Sequence, residues 1–118
     1  MNQNRKWLRI AAERDVPEEG TLRVSLGREP ICLYKLSGRI YATHDTCTHG
    51  DMSLADGFVV GENIECPLHQ GQFHIPSGKA CGMPCAEDLR TYETRVDAGE
   101  VYLRAEDDAP GNDLEVSA

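Results

Sequence analysis

Apolar residues in this chain come in short bursts rich in β-branched and aromatic side chains, broken every few positions by turn-forming residues. No window longer than about ten residues keeps the apolar spacing of an amphipathic helix. The bursts predict strands over Lys6–Ala11, Thr21–Leu26, Pro30–Leu36, Arg39–Thr43, Gly57–Val60, Asn63–Cys66, Gln72–Ile75, Thr91–Val96 and Val101–Arg104. Ser53–Asp56 reads as one helical turn. Ser37-Gly38, Gly61-Glu62 and Ala98-Gly99 read as tight hairpin turns, because glycine accepts a positive φ without a Cβ clash, and Ser77-Gly78 closes another. Many short strands with frequent turns predict an all-β fold, a sandwich or a barrel.

The chain has 118 residues, which suits one small domain and leaves no room for a second catalytic one. Its formal charge of −8 argues against nucleic acid, whose phosphates call for a lysine- and arginine-rich face. No apolar run approaches the ~20 residues of a membrane span. The opening MNQNRKWLRI lacks an apolar stretch and reads as no secretory signal, so the expected compartment is cytoplasmic. Residues 105–118 hold five acids and no base, the composition of a solvated acidic tail, and the expected domain is 1–104. Without the tail, 15 acids face 12 bases, so most of the charge excess belongs to the tail. Inside the domain, Ile40–Gly78 contains Asp45, Asp51, Asp56, Glu62 and Glu65 and no lysine or arginine. That run is either a solvated face or an electrostatic docking surface.

Five cysteines fit a disulfide framework poorly, and in a reducing compartment they point to metal binding or simple burial. Two of them sit in a paired arrangement: Cys47-Thr48-His49-Gly50, then Cys66-Pro67-Leu68-His69-Gln70-Gly71. Each segment offers one thiolate and one imidazole beside turn-forming glycines. Zinc also accepts two cysteines and two histidines, but a zinc finger groups like with like on each knuckle. A [2Fe–2S] cluster with chemically different irons explains the mixture, because one iron takes both thiolates and the other both imidazoles. Such a centre is neutral when oxidised and singly negative when reduced. It therefore accepts an electron more readily than a four-thiolate cluster, within about −150 to +300 mV.

The paired motif resembles that of Rieske proteins, and Lys6–Arg104 is similar to the Rieske ferredoxin components of bacterial aromatic-ring-hydroxylating dioxygenases of the carbazole and naphthalene types. The resemblance implies an antiparallel β-sandwich, with one cluster per chain at a tip formed by two loops and a proline-containing third. Gly82-Met83-Pro84-Cys85 occupies the place of that third loop. It implies that Cys47 and Cys66 bind the inner iron and His49 and His69 the outer, solvent-facing one, with Pro84, Gly71 and Gln70 around them. High-potential members carry a disulfide between the loops and serine and tyrosine hydroxyls on the sulfurs; those positions here hold Met52, Leu68, Gly71 and Phe73. Each missing hydrogen bond leaves the reduced state less stable, so the expected potential lies below about 0 mV.

The implied role is an electron carrier, not an enzyme: a monomer moving single electrons from a flavin-dependent ferredoxin reductase to a terminal Rieske oxygenase, with no nucleic-acid or membrane partner. A ferredoxin serving a di-iron monooxygenase would share the motifs, a Rieske-like nitrite reductase subunit is disfavoured because such subunits often lose the ligands and this chain keeps all four, and a zinc-stabilised binding module is the reading from a different class. Among the other residues, Cys32 is expected in a strand core and Cys81 and Cys85 as small core thiols. His44 and His74 read as strand histidines, and Trp7 as an anchor for the first strand.

Overall fold

The structure is a computed structural model and describes residues 7–48, 50–67, 71–81 and 87–104. Among the described residues ten strands follow in chain order: β1 Trp7–Ala12, β2 Thr21–Leu26, β3 Glu29–Leu36, β4 Arg39–His44, β5 Phe58–Val60, β6 Asn63–Glu65, β7 Gln72–His74, β8 Thr91–Tyr92, β9 Thr94–Asp97 and β10 Glu100–Arg104. They form three sheets, ordered β1-β10-β9, β2-β3-β4-β8 and β5-β6-β7, with antiparallel pairing throughout. The run Thr91–Val96 divides at Glu93, so that β8 pairs with β4 while β9 pairs with β10. One chain segment thereby ties two sheets together.

Strand β3 explains the layering. Its residues Ile31 to Tyr34 are all fully buried, which alternation against a single core would not produce. Ile31 and Leu33 join Ala11, Val16, Ala42, Val101 and Leu103 in a core between the first two sheets. Cys32, Tyr34 and Leu36 point the other way, into a second core with Leu54, Ile64, Phe73, Ile75 and Leu89. The four-stranded sheet is therefore a middle layer, and the small β5-β6-β7 sheet stands on its far side.

The turns follow the expected chemistry. Ser37 and Gly38 have φ of 51° and 79°, and Ala98 and Gly99 have 52° and 78°, the paired positive values of a hairpin turn that matches strand twist. The Glu18 carboxylate accepts from both Ser37 N–H (2.6 Å) and Gly38 N–H (3.1 Å) and fixes the first of them. The helical turn appears as a 3-10 turn over Leu54–Asp56, and a second one over Glu13–Asp15 carries no apolar pattern that could have announced it. Trp7 is half-buried beneath the guanidinium groups of Arg104 and Arg95, 5.4 and 5.8 Å from its ring, rather than deep in a core.

Candidate metal centre

Cys47 and Cys66 come from different loops and bury their side chains in the second core, at 3% and 1% exposure. Their loops close in the same way. Cys47 N–H donates to Met52 O at 2.9 Å and Cys66 N–H to Gly71 O at 2.7 Å, in each case five residues on. Each loop thus carries its cysteine at the first closing position, with the histidine of the motif inside the span.

What holds the two loops differs. The second joins β6 to β7 and is a hairpin, with Glu65 opposite Gln72 and Ile64 opposite Phe73. Gly57 lets β6 come close: a Cβ there would lie 2.1 Å from the Glu65 carbonyl oxygen. The first loop leaves β4 and enters the Leu54–Asp56 turn with only an isolated bridge, Thr46 to Ser53, beside it. Its shape is fixed by Asp45, whose carboxylate accepts from Ser53 Oγ at 2.6 Å and Ala55 N–H at 3.0 Å. Thr48 Oγ1 donates to Glu87 O at 2.8 Å and ties the same loop to the segment entering Leu89.

Gly71 is buried at the closing position of the second loop, and Phe73 is fully buried in the shared core. Met52 packs against that core. His49, His69, Gln70 and Pro84 lie outside the described residues, as do Leu68, Cys85 and the tail 105–118.

The acidic run does not form one surface. Asp51, Asp56 and Glu62 are exposed, and Glu65 is half-buried and accepts from Gln72 Nε2 at 3.0 Å. Asp45 is 1% exposed and is structural. Sequence reading missed it because an aspartate in an acidic stretch looks like surface until its donors are known. Cys81 also departs from expectation, being exposed where a core thiol was expected. Cys32 is buried as expected, and burial pushes its thiol up to about 12. His44 and His74 lie on β4 and β7, partly exposed, each beside a glutamate: Glu29 at 3.1 Å and Glu62 at 3.2 Å.

Residues 6–93 match the family model of the Rieske [2Fe–2S] domain. The chain belongs to the Rieske family. The ferredoxin component of the naphthalene 1,2-dioxygenase/salicylate 5-hydroxylase systems of Ralstonia sp. is 42% identical over 90% of this chain and 100% of its own length. Ferredoxin CarAc of Metapseudomonas resinovorans is 40% identical over 87% of this chain and 97% of its own. A solved structure, the complex of reduced oxygenase and oxidized ferredoxin in carbazole 1,9a-dioxygenase, superimposes with a TM-score of 0.79 at 40% identity, covering 85% of this chain and 94% of that one.

The cofactor of this Rieske ferredoxin is therefore a [2Fe–2S] cluster, and the protein is an electron carrier rather than a catalyst. The donor chemistry fits: two thiols reach one dry core from two loops of matching closure, and the motif histidine of each loop falls within its span. A zinc-stabilised module is set aside by the family match. Among the described residues no helix is long and apolar enough to cross a membrane.

Proposed function

We propose that this chain is the ferredoxin component of an aromatic-ring-hydroxylating dioxygenase system, taking one electron from a flavin-dependent ferredoxin reductase and handing it to the Rieske centre of a terminal oxygenase. The supporting observation is end-to-end likeness: the Ralstonia relative is matched over its whole length at 42% identity. Cys47 and Cys66 would hold one iron of the cluster, and His49 and His69 the other. When bound, the cluster accepts and releases a single electron. The chain's own part is to keep the thiolates dry and fixed through the two closed loops, and to offer the imidazoles as the route to a partner.

Gly71 and Phe73 bring no hydroxyl to the sulfurs, and Met52 with Leu68 cannot form a disulfide. The potential then lies below about 0 mV, which voltammetry checks. A value near +200 mV would overturn this reading of the range. Docking is transient and the carrier works as a monomer in the cytoplasm, where the thiols Cys32 and Cys81 stay reduced. Asp51, Asp56 and Glu62 supply the charge that meets basic residues on the partners, so transfer slows as salt is raised.

The test of the assignment is reconstituted turnover with a panel of reductases and oxygenases. Aromatic dihydroxylation that depends on this chain supports it. Support of a di-iron monooxygenase alone would replace the proposed partner.

A further inference from the structure

Asp45 is the one charged side chain among the buried described residues, and it stands two positions before Cys47. Burying a carboxylate is costly unless donors replace its water, and here they do. Oδ2 accepts from Ser53 Oγ at 2.6 Å, Oδ1 accepts from Ala55 N–H at 3.0 Å, and Arg23 Nε lies 3.5 Å from Oδ2. The backbone is engaged as well: Asp45 N–H donates to Pro30 O at 2.9 Å and its carbonyl accepts from Leu54 N–H at 2.7 Å. Every polar group of the residue thus joins the start of the Cys47 loop to β3 or to the loop's far end. Two acceptors on so short a side chain are what the Ser53 hydroxyl and the Ala55 amide need together.

The same carboxylate, bonded to Ala55, which packs against the core that holds Cys47 and Cys66, places a buried negative charge beside that core. Its field is felt there: besides burial, the charge of Asp45 contributes to raising both the Cys32 thiol and the Tyr34 hydroxyl, members of that core. Among the described residues the ion-pair partner of Asp45 is Arg23, whose side chain is 60% exposed and therefore partly screened by water. An added electron makes the centre more negative, so a buried anion nearby opposes it and a cation favours it.

We infer that Asp45 is a positioning residue for Cys47 whose charge holds the reduction potential down, and that Arg23 is the exposed counter-charge lifting it partway back. This rests on the assignment of Cys47 as a cluster ligand. The two are separable, because wild-type protein without iron and acid-labile sulfide would remove that assignment, whereas coloured wild type with unresponsive variants would remove only the inference.

The experiment is a redox titration of holoprotein, followed by EPR, on Asp45→Asn, Arg23→Gln and Asp45→Ala. Asp45→Asn keeps an acceptor for Ala55 and a polar partner for Ser53 but loses the charge. At a fixed poise its reduced-to-oxidised ratio should rise by about fivefold, with the EPR signature kept. Arg23→Gln, a surface change that leaves the core packing intact, should lower that ratio by about twofold. A structural role alone would not give shifts of opposite sign. Asp45→Ala should lose iron several-fold faster to a chelator than Asp45→Asn. Equal ratios in wild type and both charge variants, or shifts of the same sign, would overturn the electrostatic part. Wild-type iron retention in Asp45→Ala would overturn the positioning part. Should Asp45→Asn fail to fold, the Arg23→Gln ratio decides the electrostatic claim, and an unchanged ratio there rejects it.

Discussion

The loops carrying Cys47 and Cys66 are closed by the same backbone bond and supported by different chemistry. The Cys66 loop is the end of a hairpin, so its ladder fixes its shape, and Gln72 adds part-buried side-chain hydrogen bonds to Glu65 and Asn63. The Cys47 loop passes between a strand and a short helical turn, where no ladder exists, and a buried carboxylate takes over that task. The lesson is that equivalent halves of a metal site need equal rigidity, which neighbouring strands supply cheaply and which otherwise takes a polar group in the core.

That contrast can be broken from either side. The largest effect should come from Asp45→Ala, which leaves the Ser53 hydroxyl and the Ala55 amide without their acceptor. A loss of about 3–4 kcal/mol, read from the urea midpoint, follows from removing charge-assisted bonds at a buried site. Gly57→Ala attacks the other loop, since its Cβ would meet the Glu65 carbonyl and force β5 from β6. About 2–3 kcal/mol should be lost, and an unchanged midpoint would mean that the strands part freely.

Alkali tests the shared core. Cys32 titrates at about 12 when folded and near 9 when exposed by unfolding, with burial as the main cause. Between these values the unfolded chain releases its proton first, so stability is whole below pH 9 and falls as pH rises towards 12. Cys32→Ala should flatten that part of the curve. Iodoacetamide at about pH 8 should label exposed Cys81 and spare Cys32 in the folded protein. The smallest effect belongs to Gln72→Ala on the hairpin loop, below about 0.5 kcal/mol, because the ladder and not the side-chain bonds fixes that loop. A loss comparable to that of Asp45→Ala would erase the distinction between the loops.

Much of this was readable in residue order. Strand β2 falls over Thr21–Leu26 as the β-branched pattern predicts, and the Ser37-Gly38 and Ala98-Gly99 turns adopt the positive φ values that their glycines permit. The cysteine pair was legible because thiolate chemistry depends on residue type and spacing, and the family match agrees with the cofactor it implied. Cys81 is exposed rather than in the core, since a lone small thiol in irregular chain carries no signal about which way it faces. Asp45 was misread because three of the groups that define it, Arg23, Ser53 and Ala55, lie 22 residues before it and 8 and 10 residues after it.

By itself the sequence determined the all-β character, the turns and the donor set, each a property of local backbone sterics or of side-chain type. Tertiary structure decided that β3 is buried on both faces, that both cysteines enter one core, and that one of five neighbouring carboxylates is interior. Burial is a relation between distant segments, and a charge becomes structural only when the fold supplies its donors.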